Sequence, residues 1–286
     1  MKATKHFCAL CAIILALTSC EKPLLNDLEE TGPKGNVTLT FNASGAQTRG
    51  GSIAPAGSAP AGLPGGNSTA MTRAAQSVSA FATRLDIWLF EDGTEVTSVH
   101  QTKDDDGFGT LTLTLDRRKT YTLYALAHRS TEATTIENHI ARWKDDKVTH
   151  TFYCTETFCP ADKQTLACLM QRIVGQFRLE ITDDIPEGLA SIRFSIPQTA
   201  TRYNIVTAEN TNITDRTTDI TYGGKSSTFS LYLLAADDEP TLFGITVTAL
   251  DQDGQPLQQR QFADVPIQNG YQTIYRGEFF TDAPAA

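Results

Sequence analysis

Apolar and polar residues alternate with a period of two along much of the chain. Val37, Leu39 and Phe41 alternate with Asn36, Thr38, Thr40 and Asn42, and Leu85, Ile87 and Leu89 alternate with Asp86, Trp88 and Phe90. Leu111, Leu113 and Leu115 alternate with threonines and Asp116. Successive side chains of a strand point to opposite faces, so this pattern predicts strands with one face in a core. Residues 121–128 continue it, and Glu91-Asp92-Gly93-Thr94 predicts a tight hairpin turn. After Pro160, strands are predicted over 172–182, 190–196, 226–234, 243–250 and 271–280. The turn-forming runs at 183–188 and 251–254 connect some of them. Short helices are expected only over 134–143 and 163–170.

This is an all-β chain, and about 120 residues on each side of Cys159 is the usual size of an antiparallel sandwich. Two tandem antiparallel β-sandwich domains are therefore expected, over 36–158 and 164–282. Residues 44–80 break the pattern, being Gly, Ala, Ser, Pro and Thr with almost no large apolar side chain. Such a segment buries too little to fold, so a flexible loop is expected there, with Arg49 and Arg73 as protease-sensitive positions. The strand at 37–41 is expected to fill the edge of the first sandwich, and the loop would let it stay or leave.

The beginning of the chain has a different character. A short basic start precedes an apolar run of 11 residues, 7–17. That length suits a secretory signal peptide over 1–19 and falls short of the roughly 20 residues that span a bilayer. Leu17-Thr18-Ser19-Cys20 resembles the bacterial lipobox, which marks Cys20 for acylation and 20–35 as a lipidated tether. Two or three acyl chains anchor almost permanently, since each buried CH₂ contributes about 0.8 kcal/mol. The net charge of −9 excludes nucleic acid as a partner and leaves the lipid to do the anchoring. Acidic residues after Cys20 are similar to the signals that send lipoproteins to the cell surface in Bacteroidetes.

Candidate chemistry is sparse. No phosphate-binding glycine loop, Gly-x-Ser-x-Gly elbow or His-Glu-x-x-His motif occurs, so an enzyme is not expected and no cofactor is implied. His100, His128, His139 and His150 are scattered and read as surface or packing residues. Asp104-Asp105-Asp106-Gly107 and Asp251-x-Asp253-Gly254 read as hairpin turns, because neither has the later glutamate of a calcium loop. Trp88 and Trp143 read as packing residues before sugar-stacking ones. Cys154, Cys159 and Cys168 read as small buried hydrophobes, with a local Cys154–Cys159 bridge left open.

Taken in order, 85–90 and its turn, 121–128, Leu169-Met170-Gln171-Arg172-Ile173-Val174-Gly175-Gln176-Phe177 and the closing Gly277-Glu278-Phe279-Phe280 resemble the fimbrillin superfamily of Bacteroidales, and its fimbrial anchor subunits in particular. The resemblance implies transthyretin-like, Greek-key sandwiches and assembly by strand insertion. It implies a fimbrial stalk subunit as partner and an outer-membrane, surface-exposed location in the fimbrium. Stalk subunits of that family lose a first strand after an arginine and donate a C-terminal one. Here only five residues follow Thr281, so a donor strand is not expected and a terminal, anchoring role is. In that role the 37–41 strand stays uncut and another edge, in the second domain, meets the stalk. A tip adhesin and a surface glycan-binding lipoprotein are the alternatives. Replacing Cys20 by Ala is expected to abolish palmitate labelling and move the protein out of the membrane fraction, as checked by fractionation of labelled cells.

Overall fold

A computed structural model of the chain describes residues 32–44, 47–52 and 75–281. The expected signal peptide, Cys20, Arg73 and much of the 44–80 segment lie outside them. The first half carries β1 (Lys34–Ala43), β2 (Gln47–Ser52), β3 (Gln76–Ser77), β4 (Arg84–Glu91), β5 (Thr94–Thr102), β6 (Thr110–Asp116), β7 (Tyr121–His128), β8 (Thr135–Glu137), β9 (Ile140–Arg142), β10 (Phe152–Phe158) and β11 (Thr165–Arg172). The second half carries β12 (Val174–Ile181), β13 (Ser191–Asn204), β14 (Glu209–Thr221), β15 (Thr228–Leu234), β16 (Thr241–Leu250), β17 (Pro256–Ile267) and β18 (Tyr271–Gly277). Among the described residues, helix is confined to single 3-10 turns at Val78–Ala80 and Lys144–Asp146. The chain is all-β, as the alternation predicts.

In the first sandwich β1 pairs antiparallel with β6 and, at its end, with β3, while its other side runs parallel to β11. The facing layer is the antiparallel run β10-β7-β4-β5. The last residues of β11, Gln171 and Arg172, turn to pair with Tyr153 and Phe152 of β10 and close a corner. Between the layers lie Val37, Leu39, Phe41, Leu85, Ile87, Leu89, Leu123, Phe152, Cys168 and Met170, all almost fully buried. The expectation that the 37–41 strand fills an edge is thus corrected, because β1 is an interior strand with partners on both sides.

The second sandwich sets β15-β12-β18-β2 against β14-β13-β16-β17. Phe177, Phe194, Ile245, Val247, Phe262 and Phe279 fill it. Two short strands from the first half of the chain, β8 and β9, join this second unit by pairing with residues 202–204 of β13. The junction expected near 157–163 covers the end of β10 and the link to β11, and these two strands pair with each other. The chain passes to the second sandwich at Ile173, between β11 and β12.

A third apolar cluster lies between the sandwiches and includes Trp88, Phe90, Leu126, Trp143, Tyr153, Ile173, Tyr203 and Ile205. The Tyr153 hydroxyl donates to the Ile205 carbonyl across it, and His150 stacks on Tyr232 with ring centroids 5.3 Å apart. β4 and β7 are therefore buried on both faces. Leu85, Ile87 and Leu89 enter the first core, and Trp88 and Phe90 enter the junction.

Both helix expectations are corrected to strands. At 134–143 the apolar spacing fits a helix turn, but Asn138 and His139 take φ of 50° and 65°, the two left-handed residues of a tight hairpin. The result is β8 and β9. At 163–170 the burial of Leu166, Cys168 and Met170 alternates strictly, and the segment pairs in register with β1. The 44–80 expectation is corrected in part, since β2 and β3 form within it and Val78 is fully buried. Gly93 at φ 78° and Asp92 at φ 47° make the predicted β4–β5 turn.

Phe41 is 1% exposed in the first core and Leu257 is 42% exposed on β17. Phe41→Ala is expected to cost about 3–5 kcal/mol and Leu257→Ala less than about 0.5 kcal/mol in urea unfolding.

Candidate assembly site

The site begins with the slot that holds β1. Val37, Leu39, Phe41 and Ala43 are 0–1% exposed, and the alternate residues Asn36, Thr38 and Thr40 face outward. Burying each of the three large side chains is worth about 1.5–3 kcal/mol, so the strand is held firmly by its side chains alone. Main-chain pairing adds to this, over residues 34–40 with β6 and 38–43 with β11. The Phe41 N–H donates to the Gly109 carbonyl at 2.9 Å. Gly109 sits at φ 86° and approaches Val78 so closely that a Cβ there would lie 2.9 Å from Val78 Cγ1. On the outer face, the Thr114 hydroxyl donates to Asn36 Oδ1 at 2.9 Å, and Thr38 meets Thr112 at 3.2 Å.

β2 continues from β1 after a short connection and crosses to the second sandwich, where residues 47–52 pair in parallel register with 271–276 of β18. Arg49 lies in this strand, opposite Thr273. Arg73 and Cys20 lie outside the described residues. The β2 sequence Gln-Thr-Arg-Gly-Gly-Ser offers no apolar residue to bury.

The far end of β18 is tied down. Asp183, in a segment expected only to form a connection, accepts the main-chain N–H groups of Phe279, Phe280 and Thr281 at 2.8, 2.6 and 2.7 Å. Burial would raise this carboxyl, but those donors hold it below the usual carboxylate range. Arg260 of β17 donates to the Phe279 and Thr281 carbonyls at 2.8 and 2.7 Å, and Phe279 is fully buried. Residues 279–281 are thereby fixed to their own sandwich from both sides.

The residues considered for chemistry have structural work. Asp86, fully buried on β4, accepts from His128 Nε2 at 2.7 Å, His100 Nδ1 at 2.8 Å, and the Thr134 N–H and hydroxyl at 2.7 and 2.6 Å. His128 Nδ1 accepts the Ser130 N–H, which fixes its tautomer. Burial alone would raise the Asp86 carboxyl, but the hydrogen bonds from His100 and His128 hold it far below the ordinary range. The Asp86 hydrogen bond raises the His100 pKa above its usual value. Burial, then the charges of Arg172 and Arg129, push His150 down to about 3. These bonds join β4 to β5 through His100, to β7 through His128 and to the segment before β8 through Thr134, so the Asp86 group braces those strands. Sequence reasoning missed it because Asp86 occupies what looked like the solvent face.

Trp88 and Trp143, 3% and 1% exposed, lie in the junction and are not platforms for a sugar. Cys154 and Cys168 are free buried thiols, and the neighbouring Cys168 together with burial raises the Cys154 pKa. The Cys159 thiol is also free and donates to the Arg117 carbonyl at 3.2 Å. Asp251 accepts the N–H groups of Asp253 and Gln255 and so closes its turn. Among the described residues no helix is long and apolar enough to cross a membrane.

Residues 35–286 match the profile of a family described as a family of unknown function, DUF6562. No curated protein matches the chain. Solved structures similar to it include a candidate adhesin from Bacteroides ovatus, 11% identical, with 85% of this chain and 89% of that one covered and a TM-score of 0.49. A fimbrial assembly protein from Parabacteroides distasonis is 12% identical over 85% of this chain and 91% of that one, with a TM-score of 0.44. The fimbrial anchor protein Mfa2 from Porphyromonas gingivalis is 14% identical over 81% and 83%, with a TM-score of 0.41.

The Asp86 group makes stability depend on pH in two opposite senses. The folded pKa of His100 lies above its ordinary 6.5, so its contribution is complete below pH 6.5 and is lost as pH rises through the folded value. The folded pKa of Asp86 lies below 3.8, so its contribution is present above 3.8 and is lost as pH falls through the folded value. The wild type is expected to exceed His100→Gln by roughly 0.5 kcal/mol near pH 5.5, with the difference shrinking toward pH 8.5 in urea unfolding; the partly exposed ring keeps it small.

Proposed function

The chain belongs to DUF6562, a family of unknown function, and from its own residues we propose that it is a structural lipoprotein subunit of a cell-surface fimbria. Acyl chains on Cys20 anchor the fimbria to the outer membrane, and strand pairing joins the chain to the stalk. The observation that carries this reading is the captured β1, with Val37, Leu39 and Phe41 wholly buried between β6 and β11. A subunit whose first strand is removed leaves an empty slot and loses any lipid attached ahead of it. A subunit that keeps the strand keeps a continuous chain from Cys20 into its core.

Three further features support the same reading. The 13 residues between Cys20 and Lys34 reach at most about 45 Å when extended, enough to hold the body clear of lipid headgroups. Residues 279–281 are locked by Asp183 and Arg260 and are not free to leave as a strand. The hydrogen-bonded histidines and aspartates brace strands and turns, consistent with a structural subunit.

Mass spectrometry of fimbriae isolated with their base tests the proposal. The expected result is a mature form beginning at acylated Cys20, with Arg49 and Arg73 uncut and present in far smaller amount than the stalk subunit. A form beginning at Gly50 or Ala74 at full occupancy would make the chain a processed stalk or tip subunit and overturn the anchor reading.

A further inference from the structure

Three cysteines lie among the described residues, and the fold sets one of them apart from the other two. β10 carries Cys154 on the face that also turns Phe152 and Phe158 into the first core, and β11 carries Cys168 on the face that turns Leu166 and Met170 into the same core. The two strands pair only at their corner, with Phe152 opposite Arg172 and Tyr153 opposite Gln171. Continued by one step, that register sets Met170 opposite Cys154 and makes Cys168 the next inward residue, a diagonal neighbour on a shared face. Beyond Tyr153 the strands part, β10 toward β7 with Cys154 opposite Ala125, and β11 toward β1 with Cys168 opposite Phe41. Where two strands open from a corner into facing layers, their inward side chains converge. Cys168 is accordingly the neighbour that raises the Cys154 thiol pKa most. Cys159 lies elsewhere, at the far end of β10, with its thiol on the Arg117 carbonyl. Four strand steps, about 13 Å, separate Cys154 from Phe158, whereas a bridge needs Cα atoms within about 7 Å, so the local Cys154–Cys159 bridge left open by the sequence is excluded.

We propose that Cys154 and Cys168 close a disulfide during export, a covalent tie between the two layers of the first sandwich. This rests on the exported, lipoprotein part of the reading above, because an oxidising compartment is what lets such a bond form and persist. The chemistry is thiol–disulfide exchange with a disulfide oxidant of the cell envelope. One cysteine thiolate attacks the oxidant's S–S bond and forms a mixed disulfide, and the second thiolate attacks the chain's sulfur in it. The Cys154–Cys168 bond closes, and the oxidant departs as a dithiol carrying the two electrons and the two thiol protons. Both cysteines are buried once the core has closed, so the exchange comes before that step. The bond joins β11, one wall of the β1 slot, to β10 of the facing layer, so that wall is held by more than the strand seated against it.

Two measurements test it. Cells are lysed in urea with N-ethylmaleimide, and the full-length protein is digested without reduction by trypsin and a glutamate-specific protease, which cuts at Glu156 between Cys154 and Cys159. The expected result is a linked peptide pair joining Cys154 to Cys168, lighter by two hydrogens than the separate peptides, with Cys159 alkylated. Alkylation of Cys154 and Cys168 in a mature chain that begins at acylated Cys20 overturns the bond and leaves the lipoprotein reading standing. A cytoplasmic chain that keeps residues 1–19, with all three thiols alkylated, overturns both. In equilibrium urea unfolding, dithiothreitol is expected to lower the midpoint of the oxidised wild type by about 1 M and to leave Cys154→Ala unmoved. Equal wild-type midpoints with and without dithiothreitol overturn the tie.

Discussion

The first sandwich depends on the capture of one strand that comes from far away in sequence. β6 and β11 flank the same slot, and neither can pair with the other while β1 lies between them. Without β1, two strands would present unpaired main-chain groups beside an open apolar trench lined by Leu85, Ile87, Leu123 and Met170. An apolar trench open to water is costly, and so are main-chain groups left without partners where the trench walls keep water from them, so filling the slot contributes a large share of the stability of this sandwich. The closeness of Gly109 to Val78 shows how little room the end of the slot leaves for anything but a strand.

A second constraint follows from the sheet that faces this slot. Because β4 and β7 are buried on both faces, they serve two cores at once, and the junction cluster makes the sandwiches one body along that layer. The same arrangement explains a buried carboxylate in a strand otherwise made for packing. Asp86 is on the junction-facing side of β4, where water is excluded, and only the convergence of His100, His128 and Thr134 makes the position tolerable.

Alternation made β1, β4, β6 and β7 legible, because one buried face leaves a period of two in the residues themselves. It did not reveal that β4 has a second buried face, since Trp88 and Phe90 read as the less regular side of a surface strand. β11 and the β8–β9 hairpin were misread because short apolar runs fit both periods, and pairing with β1 and β13 decided between them. β14 went unseen because its sequence is mostly Thr, Asn and Asp, and it exists through its long pairing with β13. β17 carries prolines and a bulge, which hide a strand from any local pattern. At the candidate site, the burial of the 37–41 strand was visible in its residues. Its interior position, the β2 pairing on β18 and the Asp183–Arg260 hold on residues 279–281 were not, as each joins segments far apart in the chain.

The direction in which β1 lies has a mechanical meaning. A pull arriving at Lys34 from the N-terminal side acts along the strand, parallel to β11 and antiparallel to β6, so the ladders on both sides are loaded in shear. Bonds loaded in shear share the tension and must fail together, whereas a strand peeled sideways surrenders them one at a time. The buried Val37, Leu39 and Phe41 add resistance, since sliding by one residue would drive each of them to the outer face. A body fastened through this strand therefore resists drag at its point of attachment by the lifetime of a cooperative rupture, a kinetic strength that equilibrium stability alone does not set.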